Sequence, residues 1–245
     1  MRNIDEVLHF RNDLSPFLVH LTRDYDEQSA EENLVSILAS KKLKYGHEPM
    51  SVARYRYPFG SINPVVMNLY FKAVSFTETP LKEVQSLLNI EHRAVNFSPY
   101  GLVFLKDKCM EKGASPVIYI NNMRGDKNDL VESLCRLAKS NPMAAHKILP
   151  YVSLFGKKLR PYKKNPKAGE MDFTWEREWR FASLKRYFGF DESDVFIGLC
   201  PHNRIEQFED EFDWLPFIDA RRNLEQYAEK IEAAKMDAGI AHALL

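Results

Sequence analysis

The sequence predicts one mixed α+β domain, and three of its features carry that reading. Short apolar runs of strand length are interspersed with stretches at helical spacing, without the regular strand-helix rhythm of a doubly wound sheet. No low-complexity linker and no internal repeat of roughly 20 to 50 residues divides residues 1–245. A chain of 245 residues, 45% hydrophobic and 12% aromatic, has enough apolar surface to bury a substantial core.

The elements follow in order. Residues 4–12 have the pattern of a short helix, and 17–22, with β-branched Val19 and Thr22, that of a first strand, placing His20 and Thr22 on one face. Ser29 precedes Glu32 by three, the spacing of a capping box, and Leu34, Ile37 and Leu38 form the stripe of a helix ending near Lys41. Residues 45–63, rich in Tyr, Arg, Pro and Gly, read as a long irregular loop. Within 65–77 a strand ends at 74–77, with Ser75 and Thr77 on one face, and Thr79-Pro80 opens a helix through Leu88. Further strands are expected over 100–104, 116–120 and 194–199, with helices over 106–112, stopped by Gly113, and over 129–139, 143–149 and 205–214. From Arg221, Leu224, Tyr227, Ile231 and Ala234 recur every three or four residues, so 221–245 reads as a helical C-terminal appendage.

Composition narrows the function classes. Lys+Arg and Asp+Glu number 34 each, so no global field draws the protein to polyanions. Three widely spaced cysteines, Cys109, Cys135 and Cys200, lack C-x-x-C or zinc-ligand spacing, so neither a disulfide framework nor a metal site is expected and a reducing, cytoplasmic compartment is. The first residues lack an apolar core and no stretch approaches the roughly 20 apolar residues of a span, so neither secretion nor membrane insertion is expected.

The most distinctive segment is 172–184, read as one strand. Phe173, Trp175, Arg177, Trp179 and Phe181 alternate with Thr174, Glu176, Glu178, Arg180 and Ala182, which gives a packing face and a charged face. At about 3.3 Å per residue the carboxylates of Glu176 and Glu178 start roughly 7 Å apart, close enough to serve one ligand. The same pattern also describes a solvated strand face with Glu and Arg paired to a neighbour.

In order along the chain, Leu18-Val-His20-Leu-Thr22, Val74-Ser-Phe-Thr-Glu-Thr-Pro80, Tyr100-Gly-Leu-Val-Phe104 and Glu176-Arg-Glu-Trp-Arg180 resemble the AbiGi family of bacterial abortive-infection proteins and, more distantly, ADP-ribosyltransferases of the DarT type. The resemblance implies an ADP-ribosyltransferase-like split β-sheet core that grips NAD. It implies that His20 bonds the nicotinamide ribose beside Thr22, that the strand of Ser75 and Thr77 supports the NAD pocket, and that Tyr100 or a tyrosine of the loop before it stacks on nicotinamide. Glu178 would hold the ribose and stabilise positive charge as nicotinamide leaves, work that a fixed carboxylate does without a metal. Glu176 two residues earlier is similar to arginine-modifying members of the class, but the first-motif arginine of those enzymes is replaced here by His20. Without a Gly-rich phosphate loop, the pyrophosphate falls to Arg54, Arg56 or Arg23.

Ahead of the acidic segment, Lys157, Lys158, Arg160, Lys163, Lys164 and Lys167 surround Tyr162 with no acid among them. Such a run is either a solvated loop or, by analogy with transferases whose preceding loop presents the acceptor, a contact for RNA or single-stranded DNA. The expectation is therefore an NAD-dependent ADP-ribosyltransferase toxin that modifies nucleic acid in anti-phage defence, restrained by a cognate antitoxin. The alternatives are a non-catalytic antitoxin or binding component and, more weakly, a nuclease with His20, Glu176 and Glu178 around a metal.

Overall fold

The computed structural model describes residues 14–45, 72–88, 96–121, 123, 129–157, 170–171 and 174–240. In chain order the regular elements are β1 (Phe17–Leu21), α1 (Ala30–Ser40), β2 (Lys42–Lys44), β3 (Val74–Thr77), β4 (Gly101–Leu105), α2 (Lys106–Glu111), β5 (Ser115–Pro116), β6 (Ile118–Asn121), α3 (Asp129–Ser140), α4 (Pro142–Ile148), β7 (Val152–Lys157), β8 (Glu170–Met171), β9 (Glu178–Phe181), β10 (Tyr187–Gly189), β11 (Val195–Leu199), α5 (Ile205–Glu211), β12 (Phe217–Ile218) and α6 (Ala228–Asp237). The architecture is mixed α+β, as the interspersed patterns imply. The described residues of Met1–Lys42, Phe76–Lys112 and Gly189–Leu245 form one compact unit, and those of Leu43–Ser75 and Gly113–Phe188 form a second.

In the first unit the strands run β12-β11-β4-β1-β3. β1 pairs antiparallel with β4 over its whole length, from Phe17 opposite Leu105 to Leu21 opposite Gly101, and with β3 at Val19 opposite Thr77. β11 is antiparallel to β4, with a shift of register between Val195 and Ile197, and parallel to β12. Residues 101–104 and all of β11 are buried, which accounts for their nearly unbroken apolar sequences. Aromatic rings close the core: Phe17 stacks on Phe196 with centroids 4.3 Å apart, and Phe104 meets Phe76 and Phe190 edge-on at 5.7 and 5.2 Å.

Helix α1 forms where its caps require. The Ser29 hydroxyl accepts from the Glu32 N–H, the Glu32 carboxylate accepts from the Ser29 N–H at 2.7 Å, and the helix ends at Lys41 with φ of 50°. The tail is integral to this unit. A 3-10 turn, Leu224–Tyr227, leads into α6, which packs against β11 and buries Tyr227, Ile231 and Ala234, three of the four residues of the expected stripe.

In the second unit β6 and β7 are parallel, Ile118 opposite Val152 through Asn121 opposite Phe155, and α3 and α4 make the crossover that parallel pairing requires. β8 pairs antiparallel with β7, and β5 with β9, while β2 lies beside β10. Here the structure corrects the sequence reading. The segment 116–120, expected as one buried strand, is split: Ser115 and Pro116 serve β9, the next strand serves β7, and Ile118 is 53% exposed. Strands β7 and β10 were not expected. In the first unit, the helix expected after Thr79-Pro80 is a 3-10 helix, Leu81–Leu87, with Pro80 itself at the N-cap, where its ring offers no acceptor, while the Thr79 hydroxyl is bonded to that of Thr77 at 2.7 Å. The helix expected over 4–12 and most of the loop over 45–63 lie outside the described residues.

A Cβ added to Gly101 would collide with the backbone oxygen of His20 on the paired strand, which no rotamer change relieves. Gly101→Ala is therefore expected to lower stability by about 1–3 kcal/mol, seen as a lower urea midpoint with an unchanged slope; an unchanged midpoint would refute the close approach of β1 and β4.

Candidate functional site

The glutamate segment is not one strand. Thr174–Glu176 is a 3-10 turn, Arg177 has a left-handed backbone with φ of 46°, and among the described residues of the segment only Glu178–Phe181 forms a strand. The strict alternation that put Glu176 and Glu178 on one face is broken between them. Trp175 is 47% exposed whereas Trp179 is buried, and Arg180, assigned to a charged outer face, is only 3% exposed.

A buried guanidinium needs an acceptor for nearly every N–H, and Arg180 finds them. Its Nε and Nη2 donate to the two oxygens of Glu178 at 2.8 and 2.7 Å, and Nη1 donates to the backbone oxygens of Pro150 and Val152 at 2.8 and 3.0 Å. The Ser75 hydroxyl donates to the same carboxylate at 2.7 Å, and the hydroxyl of Tyr119 accepts from the Glu178 N–H at 2.9 Å. Ser75, Glu178, Arg180 and Tyr119 thus form one cluster in the second unit, with the Glu178 side chain 17% exposed. Both Glu178 oxygens are engaged by a bidentate pair, so the carboxylate is neutralised and held still. Burial pushes the Tyr119 hydroxyl up to about 12, with the N–H of Glu178 opposing and the carboxylates of Glu178 and Glu176 adding to the rise. Tyr45 is held the same way: burial raises it to about 12, and its hydroxyl donates to the Ser183 oxygen at 2.8 Å and accepts from the Ser183 N–H.

The remaining candidates that the structure describes lie in the first unit. His20, half-buried, sets its ring edge-on to Phe76 at 5.9 Å. Thr22 is buried, and its hydroxyl points at the backbone oxygens of Ala30 and Tyr100, 2.8 and 3.1 Å away, tying strand to helix. Thr77 bonds to Thr79 as described above. The Tyr100 hydroxyl donates to Glu31 at 2.7 Å, a carboxylate also paired with Arg204, and burial followed by that bond raises Tyr100 to about 12. Arg54 and Arg56, and Lys158, Arg160, Tyr162, Lys163 and Lys164 of the basic loop, lie outside the described residues, and of Lys157 only the backbone, at the end of β7, is described. Among the described residues no group of three or more His, Cys, Asp or Glu is placed to hold a metal ion.

Sequence reasoning missed Tyr119 and underrated Arg180. The only trace of either was the i, i+2 spacing of Glu178 and Arg180, which on a strand sets two opposite charges side by side. It also missed a polar corner of the first unit, where His202, Asp219, Arg221 and Tyr227 are hydrogen-bonded together.

Residues 62–193, just over half of the chain, match the family model described as "Putative abortive phage resistance protein AbiGi, antitoxin". No curated protein and no solved structure matches. The match covers Ser75, Thr77, Tyr100, Glu176, Glu178 and Arg180 and leaves His20 and Thr22 outside. It corrects the functional expectation: the family described is an antitoxin, which overturns the reading of the chain as an ADP-ribosyltransferase toxin acting on nucleic acid.

Two outcomes follow from this geometry. Arg180→Ala leaves the Glu178 carboxylate without its counter-charge and is expected to cost about 3–5 kcal/mol of stability, whereas Glu178→Ala combined with Arg180→Ala should cost less than the sum of the single changes; urea unfolding of the four proteins measures the coupling, and additive costs would refute the clamp. Tyr45, Tyr100 and Tyr119 hold their protons to about 12 when folded, against an ordinary value of 10.0. Their raised folded values mean that the stability they contribute is complete below pH 10 and is lost as pH rises toward 12. Ultraviolet titration should therefore show a late-ionising set of tyrosines that disappears in urea.

Proposed function

The chain belongs to the AbiGi family, and on that premise we propose that it is the antitoxin of a bacterial abortive-infection toxin-antitoxin pair, neutralising its toxin by binding rather than by chemistry of its own. The observation that carries this reading is the family match, whose description is that of an antitoxin. The state of Glu178 supports it. Its carboxylate is occupied by Arg180 on both oxygens and by Ser75 on one, which leaves little acceptor capacity for a ribose hydroxyl. Such a residue stiffens the scaffold from which a partner can be bound. The partner is then a toxin, in place of the antitoxin expected from the sequence. In this reading the α+β scaffold, for which the resemblance implies an ADP-ribosyltransferase-like split sheet, is a frame for recognition. Among the described residues no helix is long and apolar enough to cross a membrane, so the described part of the frame carries no helical span.

Production of the chain in a bacterial host is the direct test. Alone it should leave the growth rate unchanged; together with the growth-arresting protein encoded beside it, it should restore growth and co-purify with that protein. Growth arrest by this chain alone would overturn the proposal.

A further inference from the structure

His202, Asn203, Asp219, Arg221 and Arg222 line an open concavity of about 450 Å³ in the first unit. That volume lies within the ~300–1,000 Å³ of small-molecule sites, and although the lining exposes as much apolar as polar surface, all five residues carry polar or charged groups, so charge is the feature that distinguishes the site.

The charges can be accounted for atom by atom. Asp219 is 2% exposed, and both of its oxygens are filled. Oδ1 accepts from the Arg221 backbone N–H at 3.0 Å and from Arg221 Nε at 2.9 Å; Oδ2 accepts from Arg221 Nη2 at 2.7 Å and from the His202 N–H at 3.0 Å. Burial pushes its carboxyl up, but the bonds from Arg221 and His202 outweigh burial and hold it below the ordinary carboxylate range. It is therefore an ionised group with no capacity left for a ligand, and a cation gains nothing from it. Arg221 spends its Nε/Nη2 edge on this clasp, which fixes the direction of its fork, and the pair together is neutral. Arg222 adds a whole positive charge: it is exposed, and its side chain makes no hydrogen bond or ion pair among the described residues. His202 is oriented by a 2.9 Å bond between Nδ1 and the Tyr227 hydroxyl, leaving Nε2 as its remaining polar atom, and Asn203 adds an amide.

We propose that this corner is a binding site for the phosphate group of a small phosphorylated molecule, with Arg221 and Arg222 as its cations and His202 and Asn203 as further polar partners. Phosphate carries about −1.5 to −2 charges at neutral pH and presents several oxygens to a guanidinium fork, and a fork already held by Asp219 loses little freedom on binding. The concavity is open to solvent, so a phosphate held there leaves room for a larger group attached to it. The site lies outside residues 62–193, so it does not come with the family match and stands independently of the antitoxin reading.

The test is titration of the full chain with inorganic phosphate, AMP, ADP and ATP at constant ionic strength, followed by the backbone amide NMR signals of residues 202–203 and 221–222. Saturable shifts are expected, and Arg222→Gln should weaken binding about tenfold or more, with Arg222→Lys between the two; about 1.4 kcal/mol corresponds to each factor of ten. Because Arg222 is exposed and its side chain has no hydrogen-bond or ion-pair partner among the described residues, both variants should keep the urea midpoint of the parent. Tighter binding of nucleotides than of phosphate would show that the attached group is also recognised, and equal binding would limit the site to the phosphate; both support it. Shifts that fail to saturate, that sodium chloride reproduces at the same ionic strength, or that persist with unchanged affinity in Arg222→Gln would overturn it.

Discussion

Burying a guanidinium is the constraint on which the second unit depends. Arg180 is almost wholly out of water, and an unpaired charge there would cost several kcal/mol. The fold meets that cost with acceptors from separate parts of the unit: both carboxylate oxygens of Glu178 on the same strand, and two backbone oxygens, Pro150 and Val152, at the turn where α4 gives way to β7. Ser75 is drawn in by the same carboxylate. The positions of β9 and of the 149–151 turn are thereby coupled, because a shift in either strands a donor of the buried guanidinium, and Ser75 is tied to them through the carboxylate.

What the sequence disclosed follows from how local each signal is. The Ser29–Glu32 box, the strand at 74–77 and the Leu34–Leu38 stripe are set by residues within one turn or one strand, and they appear where expected. The tail stripe is equally local, and three of its four residues are buried. The division into two units was invisible for a different reason: each unit is assembled from segments that alternate along the chain, so no linker composition marks the boundary. The split at 115–121 depends on partners more than thirty residues away, Trp179 and Arg180 for one half and 152–155 for the other, and no periodicity within the segment records it.

The glutamate segment shows how a period can mislead. Alternating aromatic and charged residues over 173–182 satisfy the strand template, yet Arg177 adopts a left-handed backbone and the three residues before it coil into a 3-10 turn. Periodicity detects which residues prefer burial, not whether the backbone between them stays extended. The assignment of a charged outer face failed for a related reason. Arg180 reads as a surface residue by type, and the Glu178 carboxylate together with backbone oxygens contributed by other elements makes its burial possible. Of the candidate residues, Ser75 and Glu178 do come together, while the motif that named them says nothing about Tyr119 or the carbonyls that complete the cluster.

A self-satisfied cluster and an unsatisfied one carry different information about function. Glu178 and Arg180 would be kept together by stability alone, since losing Glu178 leaves Arg180 as an uncompensated buried charge and losing Arg180 leaves a half-buried carboxylate without its counter-charge; the Glu-x-Arg spacing is therefore a poor guide to chemistry even where it is a good guide to family. The corner at Arg221 and Arg222 has the opposite character. Its one carboxylate is saturated from within, its first guanidinium is already aimed, and its second is left with charge that nothing in the described fold requires for packing. Stability explains the pairing of Asp219 with Arg221 but not the placement of a further cation beside it. Where the internal accounts of a folded chain balance, a motif reports architecture; a solvated cation beside an already aimed guanidinium at the edge of a cavity is a place where a bound anion would gain two charges at little cost in order.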